Sequence, residues 1–468
     1  MQKNKVIMVL ILLGLLFTGC GTQNPQKESG QEQGTETENQ AGGQMTSKPA
    51  AQEESGELRM LCTEQWHCMS QGGYYYIEEL SKELKKGFWG QHIMYMDFAT
   101  KQEVYLCAEP GCKHIDEKCS AVLADDLGQE SLIFAMNDKL YIVEKEFDNE
   151  NSMEGQFIGE DGELAEEEKI PVTLYSMGLD GSDRKKEYTF DRDIMVEARV
   201  LGDGENIYFV TKKLVTSSKE MQKYTTATER SLVKFGVKDS SMETLCPLSS
   251  EEKIRWGILG VSGENIILEG TKYNGNLTLE EEMALENEKL WEYANDSKDI
   301  IMALNIKDGK TSEVYSVDND PDSLHCTAMW EDSLYISWEK EKKVEKVDIK
   351  TGKVKKLADG ISVYIGGTLP GILCCDSWSD SKDYTSYFVD MNSGEVHHSQ
   401  LVNKCNGWEI EIIGEWEGKV LAIYDYDATE DEDGAWDIKR KQFGLIDKED
   451  LLKGTDALEK IEMKGTGM

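Results

Sequence analysis

The stretch "SLIFAMNDKLYIVEKEF", residues 131–147, decides the fold. Two short apolar runs, 132–136 and 140–143, flank Asn137-Asp138-Lys139. Asn and Asp tolerate the left-handed backbone of tight hairpin turns, and the runs are strand-length. The stretch therefore reads as an antiparallel β-hairpin. The same unit returns in "VEARVLGDGENIYFVTKKL" from Val196, "RWGILGVSGENIILEGTKY" from Arg255 and "LHCTAMWEDSLYISWEKE" from Leu324. Two more copies are "SVYIGGTLPGILCCDSW" from Ser362 and "EIEIIGEWEGKVLAIYDYD" from Glu409. A degenerate first copy begins at Leu58, "LRMLCTEQWHCMSQGGYYYIEEL".

A second hairpin follows each of these, for instance "VEKVDIKTGKVKKLA" at 344–358 and "YFVDMNSGEVHHSQL" at 387–401. Most carry Asp or Asn just before a polar or Gly-bearing turn. Four strands repeated in constant order predict an all-β chain folded as a β-propeller. The copies fall near 58–107, 131–190, 195–248, 254–317, 324–358, 361–402 and 408–463. They count seven blades, or six or eight if the first and last merge or split.

With strand a innermost and strand d outermost, the variable insertions are b–c connections, all on one face. The longest, 274–299, predicts a small helix in blade 4. There Thr278 and Glu281 form a capping box, and Leu279, Met283 and Leu290 give it an apolar side. Elaborated loops on a rigid scaffold are where binding tends to lie.

One string carries chemistry: "CAEPGCKHIDEKC", 107–119. Cys107, Cys112, His114 and Cys119 form a legitimate tetrahedral zinc set. In an oxidising compartment the same cysteines could pair as disulfides instead, with Cys62 and Cys68 as further partners. Both readings stay open. A structural zinc is the only cofactor expected, and either outcome would clamp blade 1 to blade 2. The string is expected as the d-to-a link between those blades, on the insertion-bearing face. The other cysteines (246, 326, 374, 375, 405) read as small buried apolar residues.

The N-terminus sets the compartment. "MQKNKVIMVLILLGLLFTGC" has Lys3 and Lys5, an apolar run from Val6 to Phe17, then Thr18-Gly19-Cys20. The run is too short for a permanent membrane span and suits a signal peptide. The end resembles the lipobox of bacterial lipoproteins, although Phe17 stands where Leu is usual. The resemblance implies a signal peptide over 1–19, cleavage before Cys20, and lipid (palmitate among its chains) on that cysteine. Residues 20–57 are polar, with Met45 their one large apolar side chain. They predict a disordered tether, roughly 35 Å in root-mean-square span. The propeller body is expected over 58–468. The formal net charge of −38 argues against nucleic-acid partners.

The repeat form resembles the TolB-like and quinoprotein-repeat propellers of bacterial lipoproteins. The Cys-His string resembles one found in uncharacterised propeller lipoproteins. No Trp-rich docking motif recurs in the blades, so quinone-dependent catalysis is not implied. The chain holds no Ser nucleophile elbow, HExxH, P-loop or Rossmann glycine string, and no catalytic residue is assigned. Arg199, His325, Glu409 and a few other titratable residues are scattered along the innermost strands. The expected function is an extracytoplasmic, membrane-tethered binding or scaffolding module for an envelope protein or glycan. The alternative is an envelope glycan lyase or hydrolase acting at the propeller axis.

Overall fold

A computed structural model describes residues 56–63, 67–70, 72–78, 81–124, 131–144, 171–191, 194–214, 228–248, 254, 256–275, 289, 293, 296–320, 324–377, 385–430 and 436–465. Cys20, the signal segment, the tether and most of the blade 4 insertion lie outside them. Within that insertion Lys289 and Tyr293 are helical. No helix among the described residues is long and apolar enough to cross a membrane.

Seven antiparallel sheets form seven blades of a β-propeller. Blade 2 is typical: Leu132–Met136, Lys139–Glu144, Thr173–Gly178 and Lys185–Thr189, paired in sequence order. The opening stretch supplies its first two strands, and Asn137 at their turn has φ +57. Antiparallel order puts the a–b and c–d turns of every blade on one face. The b–c and d–a connections lie on the other.

Each blade packs an apolar face on the next. Phe134, Tyr141 and Leu174 of blade 2 meet Phe209, Val233 and Phe235 of blade 3. The ring closes where Tyr74, Tyr76 and Met94 of blade 1 meet Leu421, Phe443 and Leu445 of blade 7. Among the described residues no strand is exchanged between those two sheets. The C-terminal segment clasps them instead. Glu462 bridges to Gln102 in parallel, and the Lys464 and Gly465 N–H groups donate to the buried Glu103 carboxylate.

The first repeat is assembled differently from its sequence pattern. Arg59–Cys62 does not join blade 1. It pairs antiparallel with Val200–Gly202, the inner strand of blade 3, on the side facing the ring's interior. There it touches the inner strands of blades 1, 2 and 4. Gly202 permits this approach: a Cβ there would lie 2.6 Å from Leu61 Cδ1 and 2.7 Å from Met136 Sδ. The Gly56 nitrogen sits beside the a–b turn at Gly204. The chain thus enters the ring from the short-turn face and runs toward the insertion-bearing face. Blade 1 proper begins at His67–Ser70.

Candidate metal centre

Read from sequence, the Cys-His string links blade 1 to blade 2. In the structure it interrupts strand d of blade 1. Gln102–Tyr105 pairs with Asp97 to Met94 of the long strand Phe88–Asp97. Val122–Ala124 pairs with His92 to Gly90 of the same strand. The two segments are collinear, and residues 106–121 loop out between them. Ile93 holds both ends: its N–H donates to Ala121 O (2.8 Å), and Leu106 N–H donates to its carbonyl (3.0 Å). The insertion-bearing face is therefore the wrong address; the loop stands on the outer rim. The junction with blade 2 is the right one. Cys107, Cys119 and Ala121 pack with Leu140, Ile142, Met177 and Leu179 of blade 2. The blade 2 c–d turn presses on the loop base, where Gly181 has φ +80 and a Cβ would lie 2.3 Å from Leu106 O.

Inside the loop, short turns aim the side chains inward. Gly111 has φ +74, and Cys112 N–H reaches Glu109 O at 3.3 Å. Cys119 N–H donates to Asp116 O at 3.0 Å. All four expected residues converge: the ligand atoms of Cys107, Cys112, His114 and Cys119 lie within 4.8 Å of one another. His114 Nδ1 is 3.2 Å from Cys119 Sγ, and His114 N–H points at Cys112 Sγ (3.5 Å). Cys107 and Cys119 are buried; Cys112 and His114 are half-buried. No disulfide joins cysteines among the described residues.

Burial pushes the Cys107 and Cys119 thiols up from their ordinary range, and Cys112 pushes both the same way. Burial also pushes the His114 imidazole down, as does the nearby His92. A cation at the centre would reverse the thiol tendency by displacing their protons. A tetrahedron of roughly 2.3 Å zinc–sulfur bonds sets sulfurs about 3.8 Å apart, so only a small contraction is needed. Three thiolates and one imidazole fill such a tetrahedron, leaving no position for substrate.

Two residues that drew no attention in the sequence support the loop. His92, buried in strand c, approaches the His114 carbonyl with Nε2 at 2.8 Å. Its Nδ1 lies 2.7 Å from Oε2 of Glu78, which is fully buried. Both partners are acceptors, so both bonds form together only when each ring nitrogen carries a proton. Lys82 Nζ lies 2.8 Å from the same carboxylate oxygen. Burial alone would raise the Glu78 carboxyl; His92 and Lys82 overcome it and hold it down to about 2. The Tyr105 ring stacks on His114 at 4.6 Å and tilts against His92 at 4.7 Å.

A second polar group gathers at the insertion-bearing end of blades 4 and 5. His325 Nε2 is 3.1 Å from Asp299 Oδ2, and Thr271 Oγ1 donates to Asp299 Oδ1 at 2.6 Å. Thr327 Oγ1 donates to Glu269 Oε1 at 2.5 Å. Burial pushes the Glu269 carboxyl up, and Asp299 pushes the same way. Arg199 donates to the Ile258 carbonyl nearby. Further round the ring, Ser386 links Asp376 and Glu409 through its hydroxyl (2.8 Å) and its N–H (2.6 Å). Residues that look scattered along the sequence are therefore drawn into two small networks.

Of the acidic run 425–437, residues 425–430 and 436–437 lie in paired strands, and 431–435 fall outside the described residues. Lys419–Glu430 and Trp436–Asp447 pair along their length. His397 and His398 sit in the outer strand of blade 6, with His398 exposed.

No family model matches the chain, and no curated protein matches it. Solved structures resemble it at low identity. A Mycobacterium tuberculosis puromycin-hydrolyzing peptidase aligns with TM-score 0.47 and 10% identity, covering 90% of this chain and 57% of the peptidase. The chain thus spans little more than half of that enzyme. An oligogalacturonate lyase in complex with manganese aligns with TM-score 0.40 and 9% identity, covering 69% of this chain and 74% of the lyase. TolB from Acinetobacter baumannii aligns with TM-score 0.33 and 12% identity, covering 84% and 83%.

Proposed function

We propose that the protein is a lipid-anchored, extracytoplasmic propeller that binds an envelope protein or glycan through its insertion-bearing face. The observation that carries this reading is the path of the N-terminal strand. Arg59–Cys62 enters the ring from the short-turn face, with Gly56, the first described residue, on that side. A lipid on Cys20 would then leave the opposite face turned outward. That face also carries Trp89, Trp408 and Trp436, which are 51%, 72% and 37% exposed. Tryptophan is enriched in interaction surfaces and costly to leave in water. A photo-crosslinking residue at Trp408 should capture an envelope component in intact cells. The same residue at Thr351, on the short-turn face, should not. Equal capture from both positions, or none from Trp408, contradicts the reading. Cys20→Ser should release the protein to the medium or leave it unprocessed.

Within this reading the Cys-His loop holds a structural zinc. Cys107, Cys112, His114 and Cys119 would complete its shell and pin the outer rim of blade 1 against blade 2.

One observation favours the second reading, an envelope glycan lyase or hydrolase. Asp299, His325 and Glu269 place acid–base groups beside one another on the same face. Product release from envelope glycans, abolished by Asp299→Asn without unfolding, would move the assignment to an enzyme.

A further inference from the structure

His114 is held in an unfavourable backbone state. Its φ is +54, the left-handed region that L-residues with a Cβ seldom occupy. Something must hold it there, and the contacts lead back to one residue. The His114 carbonyl meets His92 Nε2 at 2.8 Å. The His114 ring lies on Tyr105, and Tyr105 lies against His92. His92 is itself fixed from two directions. Glu78 Oε2 faces its Nδ1 at 2.7 Å and receives its backbone N–H at 3.3 Å. Glu78 N–H donates back to His92 O at 2.9 Å, closing a reciprocal pair between strands b and c.

We propose that Glu78 and His92 are positioning residues for the metal centre: they clamp the His114 carbonyl, and so hold the imidazole at the angle from which Nδ1 meets the metal. The inference rests on the proposed zinc site. The three cysteines do not depend on this clamp, because local turns and the blade 2 contact orient them. His114 does depend on it. Its side chain leaves a strained residue in the middle of the loop. Without the clamp the residue relaxes toward ordinary φ and the imidazole swings away, leaving three thiolates and an open position. Outer groups that orient a ligand typically contribute 10–100-fold to metal affinity. An ordinary buried ion pair would contribute only to folding, and the two roles separate experimentally.

The test is cobalt(II) and zinc titration of the full chain and of His92→Gln, Glu78→Gln and His114→Ala. Cobalt–thiolate charge transfer reports the sulfurs, and the visible ligand-field bands report the fourth ligand and the coordination number. His92→Gln and Glu78→Gln should keep the charge-transfer band, change the visible bands toward those of His114→Ala, and weaken zinc by about 10–100-fold. In the His114→Ala background, His92→Gln should weaken zinc no further. Glu78→Gln preserves shape while removing the charge and one acceptor, so it decides the matter if His92→Gln does not fold. Wild-type bands and affinity in Glu78→Gln, with only a lowered melting temperature, overturn the positioning role and leave the metal reading intact. A wild-type chain that binds neither metal ends the metal reading and this inference together.

Discussion

At the outer rim of blade 1, three thiols and an imidazole bring their ligand atoms within 4.8 Å of one another. At the insertion-bearing end of blades 4 and 5, inward of the outermost strands, Glu269 and Asp299 turn instead to threonine hydroxyls and to His325. The outer group has soft donors and room to contract around one ion. The inner group is drawn from two blades, with each carboxylate already holding a neutral donor. Among the described residues only the outer group is compact enough for a metal. Local density of ligand atoms, not the number of titratable groups, marks a candidate metal site. The inner group is better suited to hydrogen bonding or acid–base work.

The contrast breaks most visibly under ligand removal. Cys107→Ser or Cys119→Ser should lower zinc affinity beyond the roughly 100-fold ceiling typical of outer groups, because a direct ligand is lost. Competition with a chromogenic chelator measures this. Chelation of the wild-type protein should loosen residues 106–121 first, seen as faster amide exchange there than in blades 4 to 6.

Ring closure gives the next largest effect. Phe443 packs against Tyr74 and Tyr76, all fully buried. Phe443→Ala should cost about 3–5 kcal/mol in urea unfolding. A loss under about 1 kcal/mol would mean that blades 1 and 7 do not close the ring.

In the inner group, His325→Phe leaves Asp299 with Thr271 but without the imidazole. The expected cost is about 1–3 kcal/mol, with zinc affinity unchanged. A change in zinc affinity would show that the inner and outer groups are coupled, and the contrast between them would fail.

The smallest effect is pH dependence in blade 1. Glu78 titrates near about 2 in the folded chain against an ordinary 4.5. A depressed carboxylate stabilises the fold above its unfolded value and loses that contribution as pH falls toward the folded one. Stability should therefore drop between pH 4.5 and about 2, and Glu78→Gln should flatten the slope in that window. An unchanged slope would remove the ion-pair role.

Most of the ring was legible because each blade announces itself locally. Short apolar runs bracket turn residues such as Asn137 and Gly371, and the order never varies. Arg59–Cys62 defeated that logic. Its residues suit any inner strand, and its partner, Val200–Gly202, is distant in the chain and selected by space within the ring. The loop's address failed for a related reason. Val122–Ala124 is three residues long, too short to reveal that strand d resumes after the cysteines. The four candidate ligands were legible because one loop carries them all. Glu78 and His92 were not. Each sits beside or within an apolar strand, and only the pairing of strands b and c brings them together.

The most direct test of the zinc centre is K-edge absorption on full-length protein purified without added metal, with thiols counted before and after denaturation. The expected result is one zinc per chain, three sulfurs near roughly 2.3 Å and one nitrogen near about 2.0–2.1 Å. Cys107, Cys112 and Cys119 should also resist alkylation until the metal is removed. No bound zinc, with two of these thiols joined in a disulfide, would contradict it.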